Sequence, residues 1–244
     1  MTYSTLVVDS NCVAHMELQD NAASTTVVDT RGLTTGVLSA AAGNTSAAAG
    51  ATDHPWLSRS LFLNGSNDKI DLTSIDIYEK SGVSFGLWIK PTTIGEILGR
   101  WSGASPTATT ILLRNATLQC FVGDATPPAP VTSYGPALAG TLSTGVWSFL
   151  AVVSDGSTFK LGINNSWGTP VAVTGPLFNS SFYASLGISI GKCHSGTASV
   201  ASFADFTAFS RALSDAEFTT LYNGPSGGSA TLFRRSLSNR IGSR

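Results

Sequence analysis

The sequence predicts an all-β fold, a sandwich of two antiparallel sheets with one short helix near its C-terminus. Three observations point there. Short runs rich in Val, Ile, Phe and Trp recur between turn residues, which is the pattern of a sandwich or barrel. Helical periodicity is nearly absent. The 244 residues are 42% hydrophobic and 12% charged, enough apolar side chains for one large core and too few charges for a disordered chain.

Strands are expected around 12–18, 60–64, 68–72, 83–90, 95–100, 109–114, 117–122, 146–153, 158–163, 186–191 and 202–209. In Val83-Ser84-Phe85-Gly86-Leu87-Trp88-Ile89, residues 83, 85, 87 and 89 share one face by the two-residue strand period, and that face is assigned to the core. Trp147 to Val153 is apolar on both faces, so it is expected mid-sheet with cover on each side. Asp155-Gly156 then suits a tight hairpin turn before Phe159, Leu161 and Ile163 resume the alternation. The helix begins at Ser214, with Glu217 completing a capping box and Leu213 and Phe218 at the staple positions. Phe218, Leu221 and Tyr222 give it one apolar stripe to lay on the sandwich, and Gly224-Pro225 stops it. The stretches 40–56, with Ala/Gly/Thr/Ser runs, and 123–145, with Pro127, Pro128, Pro130 and Pro136, read as loops, the usual seat of binding on a rigid scaffold. Residues 1–224 read as one domain and 225–244 as a basic tail.

Charge is unevenly placed. All fifteen acids and ten of the fourteen Lys/Arg fall within 1–224, whereas 225–244 holds four Arg and no acid. No run of about eighteen apolar residues is present to span a bilayer. The polar start Met-Thr-Tyr-Ser leads straight into strand-like sequence, without the basic n-region and apolar h-region of a signal peptide, so export is not expected. Cys12, Cys120 and Cys193 are odd in number and lack CxxC or zinc spacing, so they read as small buried hydrophobes. Sequons at Asn44, Asn64, Asn115, Asn164 and Asn179 read as accidents of a Ser/Thr/Asn-rich chain.

Five pieces in order carry a resemblance. They are Cys12 to Leu18 with Asp29-Thr30-Arg31-Gly32, Leu61 to Asp68, Phe85 to Pro91, Trp147 to Asp155-Gly156-Ser157, and Phe206 to Arg211-Ala212-Leu213-Ser214 with its helix. Over roughly residues 10–223 they resemble the laminin-G-like, concanavalin A-like jelly-roll family. The resemblance implies a jelly roll and raises calcium as a cofactor at a rim site. Asp29 and Asp205, with backbone carbonyls, would supply part of the six to eight oxygens calcium needs. Where the family usually has two acids, this chain has Ala204-Asp205, and the alternative makes Asp29 and Asp205 turn or cap residues.

Catalytic patterns are missing. Glycosidases of this architecture carry acids two and four residues apart on one strand, so that alternation aims them into one cleft, whereas Glu17, Glu79, Glu96 and Glu217 are scattered. Two GxSxG strings, at 187–191 and 224–228, lie in a strand and a flexible tail, and neither has the strand–turn–helix setting of a nucleophile elbow. His15, His54 and His194 lack ligand spacing. Trp56, Trp101 and Trp167 fall in or beside loops, where an indole stacks on a sugar or plugs the end of the sandwich. Trp101 and Trp167 are taken as candidate ligand residues.

The expectation is a non-catalytic structural or binding module of a phage-like virion: a capsid decoration, fibre or tail adhesion protein, made in the host cytoplasm without a signal peptide. The tail, through Phe233, Arg234, Arg235, Arg240 and Arg244, would dock on a capsid or tail protein. A host surface glycan is the second expected partner, with repeated copies adding avidity, and self-association is a further expectation. Dispersed basic residues argue against nucleic acid, and no membrane insertion is expected. The alternatives are a free, extracellular, lectin-like carbohydrate-binding domain and an unrecognised polysaccharide-active enzyme.

Overall fold

Alternation of apolar side chains builds two sheets, and the computed structural model shows how they close. It describes residues 1–19, 25–39, 45–49, 54, 56–65, 68–72, 74–78, 80–101, 109–114, 120–122, 132–134, 140–173, 188–193 and 197–225, with the backbone alone for 39, 45–49, 100–101, 109–114, 120–122 and 132–134. The elements are α1 (Tyr3–Leu6), β1 (Cys12–Met16), β2 (Thr26–Val27), β3 (Gly36–Ser39), β4 (Thr45–Ala49), β5 (Arg59–Leu63), β6 (Lys69–Leu72), β7 (Val83–Thr93), β8 (Glu96–Trp101), β9 (Thr109–Arg114), β10 (Cys120–Val122) and β11 (Thr132–Tyr134). There follow β12 (Ser148–Ser154), β13 (Thr158–Ile163), β14 (Ser166–Trp167), β15 (Val171–Ala172), β16 (Ile188–Gly191), β17 (Val200–Phe209) and α2 (Asp215–Asn223). The larger sheet runs β14-β13-β12-β7-β17-β5-β4, with β1 also on β17 and β15 also on β13; the second runs β2-β3-β6-β16-β8-β9, and β10 and β11 form a pair. This is the expected two-sheet jelly-roll sandwich.

The main core lies between the sheets. Val83, Phe85, Leu87 and Ile89 of β7, Leu150 and Val152 of β12, and Phe203 and Phe206 of β17 meet Leu38, Ile70, Leu72, Leu98, Ile188 and Ile190. As expected, β12 pairs with β7 on one side and β13 on the other and is buried along its whole length. The Asp155-Gly156 turn closes the β12–β13 hairpin, with Asp155 accepting from the Ser157 and Thr158 N–H groups.

The outer face of the larger sheet carries a second core. Register places Trp167, Gly162, Ala151, Gly86, Thr207 and His15 in one row across six strands. Small residues in its middle make a trough, and at Gly86 a Cβ would stand 2.8 Å from Thr207 Oγ1 and 3.0 Å from Phe149 Cζ. Phe149, Trp88 and Ala204 form the adjoining row. Over both lie Tyr3, Leu6 and Val7 of the N-terminal segment, Trp56 and Leu57, and Leu213, Phe218 and Leu221 at α2. The capping box forms as the sequence requires: Ser214 Oγ accepts from Glu217 N–H at 3.3 Å, and Glu217 accepts from Ser214 N–H at 2.9 Å.

Three expectations are corrected. The 40–56 stretch is not all loop, because β4 pairs antiparallel with β5; a backbone ladder needs no β-branched side chains when a neighbouring strand offers its edge. The 123–145 stretch includes β11, paired with β10. The start of the chain is helical, with Thr2 capping α1 through Thr5, a box made from Thr and therefore without the Glu/Gln signature.

Candidate functional site

The most concentrated polar chemistry lies at the β1–β17 junction. Between Ala204 and Thr207 the register of β17 against β7 shifts, and Asp205 takes a left-handed φ of 46°, unusual for a residue with a side chain. The bulge places the Asp205 carboxylate, 3% exposed, against His15, 2% exposed. Tyr3 O–H donates to Asp205 Oδ1 at 2.6 Å, and His15 Nε2 meets the same oxygen at 2.9 Å. Because a carboxylate only accepts, Nε2 donates to Asp205; on the other side of the ring Thr30 Oγ1 lies 2.7 Å from Nδ1 and donates to the His15 carbonyl at 3.0 Å. Asp205 Oδ2 is buried without a partner. Burial first, and the Asp205 charge second, hold the Tyr3 hydroxyl well above its ordinary pKa near 10.

Asp29 lies on the other side of His15. Its Oδ1 accepts from the N–H of His15 at 2.9 Å and of Arg31 at 3.0 Å, and its Oδ2 from the N–H of Leu33 and Thr34, both at 2.9 Å. The two proposed metal ligands therefore flank one histidine. Asp29 is filled by four backbone donors, and among the described residues no group of three or more His, Cys, Asp or Glu is arranged to hold a metal.

Trp167 sits on the outer face at the hairpin of β13 and β14, whose tip residues Asn164 and Asn165 have φ of 49° and 63°, the left-handed pair that a two-residue turn needs. Its indole lies across Gly162, where a Cβ would come within 3.0 Å of Cε3, and packs edge-on with Phe218 at 5.0 Å between centroids. Lys160 Nζ stands 4.2 Å from the ring centroid and pairs with Asp215. Thr219 O–H donates to Asn165 Oδ1 at 2.8 Å. Trp101 ends β8 with its backbone opposite Thr109, and its side chain lies outside the described residues, as do Phe233, Arg234, Arg235, Arg240 and Arg244. Trp56 plugs the outer core between Tyr3 and Trp88.

Sequence reasoning missed Tyr3, Thr30, Lys160 and Asp215. Tyr3 meets Asp205 across 202 positions and Lys160 meets Asp215 across 55, and no local pattern encodes such pairs.

A model of the Laminin_G_3 family, the concanavalin A-like lectin/glucanases superfamily, matches residues 64–218. No curated protein matches the chain. Among solved structures, Domain 4 of AbnA, a GH43 extracellular arabinanase from Geobacillus stearothermophilus, in complex with arabinotriose, is similar with a TM-score of 0.64 at 16% identity, over 87% of this chain and 98% of that one. The botulinum neurotoxin serotype D ligand binding domain in complex with N-acetylneuraminic acid is similar with a TM-score of 0.55 at 18% identity, over 88% of this chain and 51% of that one. A Trypanosoma rangeli sialidase mutant displaying trans-sialidase activity gives 0.57 and 14%, over 88% and 33%. The chain thus spans about half of the toxin domain and a third of the sialidase, and these likenesses show the fold.

Proposed function

This chain belongs to the concanavalin A-like lectin/glucanases superfamily, and from that premise we propose that it is a non-catalytic module that recognises a glycan. The observation that carries the reading is where the buried carboxylates among the described residues are directed. Asp29 gathers four N–H groups, Asp68 accepts from Asn64 N–H, Glu96 from Cys193 N–H, and Asp205 from Tyr3 and His15. Each makes bonds that hold the fold, and the one open oxygen, Asp205 Oδ2, is buried, whereas glycoside hydrolysis needs two carboxyls flanking a substrate, one of them protonated as an acid. Arg211 holds Glu217 below the usual carboxylate range, the wrong direction for a general acid.

The glycan part of the proposal draws support from the superfamily and from the sugars named with two similar structures, arabinotriose and N-acetylneuraminic acid. Screening the purified chain on an oligosaccharide array, alongside a reducing-end assay on the polysaccharides it retains, is the test. Retention without new reducing ends is expected; release of reducing ends overturns the non-catalytic reading, and no retention overturns the glycan reading.

The proposal extends to location. Four Arg without an acid in the last twenty residues support a tail that grips an acidic surface on a capsid or tail protein, with the sandwich turned outward on a virion. Co-sedimentation with particles, lost on removal of 225–244, is the expected result; equal sedimentation of the truncated chain contradicts it.

A further inference from the structure

We propose that the seam between the β13–β14 hairpin and α2 is a subsite for a neutral sugar ring, with Trp167 as its platform and Lys160, Asp215 and Asn165 as its polar rim. The inference rests on the glycan-recognition reading and gives it a place and a ligand chemistry. Lys160, Asn165 and Trp167 come from the hairpin, and Asp215 and Thr219 stand four residues apart on α2, hence on one face of it. Gly162 beneath the indole and Phe218 at its edge fix the plane of the ring. The group over that plane is the Lys160 ammonium, 4.2 Å from the centroid.

An ammonium over an indole is held by the negative face of the π-system, and the polarised C–H groups of a sugar ring are drawn to the same face. Lys160 marks the position such a ring would take; its side chain is 22% exposed, and its partner Asp215, at the open rim, is 60% exposed. When the ammonium swings aside with Asp215, vicinal hydroxyls can bridge the pair, one donating to the carboxylate and one accepting from Nζ. Thr219 holds the Asn165 amide in place at the rim. One cation and one anion leave the seam without net charge, so an acidic sugar would gain Lys160 but face Asp215, whereas a neutral one uses both.

The test titrates the full chain calorimetrically with arabinotriose, N-acetylneuraminic acid and a panel of neutral and acidic oligosaccharides. Trp167→Ala, Asp215→Asn and Lys160→Met are compared with wild type and with Lys69→Met on the other sheet, each first shown to melt cooperatively. Neutral sugars should bind wild type and Lys69→Met alike and weaken about tenfold or more in Trp167→Ala and Asp215→Asn. If Trp167→Ala fails to fold, Asp215→Asn and Lys160→Met decide. Undiminished binding in the seam variants overturns the subsite while the recognition reading stands. Binding confined to acidic sugars overturns the neutral chemistry, and binding of no sugar overturns both readings.

Discussion

Replacing Asp29 by asparagine keeps the shape of the side chain and removes half of its acceptor capacity. The carboxylate takes two N–H groups on each oxygen, all four within 2.9–3.0 Å, and the side chain is buried with only 7% of the residue exposed. An amide has one accepting oxygen, so whichever way it turns, two backbone donors face an NH2 group. Hydrogen bonds to charged groups contribute about 1.5–3 kcal/mol each, which puts the loss near 3–6 kcal/mol. For a domain of this size that corresponds to a melting temperature lower by roughly 6–24 °C. Urea titration gives the free energy directly, and an unchanged slope against denaturant would confirm that the native state stays compact. A loss below about 1 kcal/mol would refute the reasoning, because it would mean that water or a relaxed loop satisfies the Leu33 and Thr34 amides.

Acid should weaken the fold through the Asp9–Arg211–Glu217 cluster and the Asp155 turn. Glu217 is lowered by its bond from Arg211, and Asp9 and Asp155 by backbone N–H groups. Their stabilisation is therefore complete above the ordinary carboxylate pKa of about 4 and fades as pH falls through the depressed folded values; Glu217→Gln should flatten thermal melts taken in that range. Alkali acts through Tyr3 and the buried thiols of Cys12 and Cys193, whose pKa values are all raised chiefly by burial; the share carried by Tyr3 is intact below pH about 10 and lost as pH rises through its folded value. Tyr3→Phe should remove that alkaline loss, and an unchanged profile would place it elsewhere. Gly224, at φ 67° with its Cβ position 2.2 Å from Trp56 Cε2, should not accept alanine; a loss of about 2 kcal/mol or more in Gly224→Ala is expected in chemical denaturation. Asp205 Oδ2 is the one open carboxylate oxygen of the Asp29–Asp205 pair, against the six or more oxygens calcium takes, so EDTA should move the melting temperature by less than about 1 °C. A fall of several degrees would restore the pair as a metal site.

Much of the fold was legible because strand alternation is local. Val83, Phe85, Leu87 and Ile89 declared the inner face of β7, the two-sided run from Trp147 declared a central strand, and Ser214 with Glu217 declared the helix start. Strand β4 was not legible: its Thr-Ser-Ala-Ala-Ala sequence carries no β signal, and it exists as a strand through its ladder to β5. The helix at Tyr3 hid for the same reason, since its box is built from two threonines and its stability comes from Tyr3 and Leu6 sinking into the outer core. Of the candidate site residues, Asp29 and Trp167 were visible by type, but what they hold was not.

By itself the sequence determined the class of fold, the inner face of the central strands, the capped C-terminal helix and a strongly basic last segment, because each is written in spacings of two to four residues. Only the tertiary structure decided that the N-terminal segment and Trp56 join α2 in covering the outer face of the larger sheet, that Tyr3, His15 and Asp205 share one buried carboxylate oxygen, and that Lys160 and Asp215 meet over Trp167. Those contacts join residues 12 to 202 positions apart, and their geometry is set by strand register and by the bulge at Asp205. Both arise from the packing of whole sheets, which no short window of residues contains.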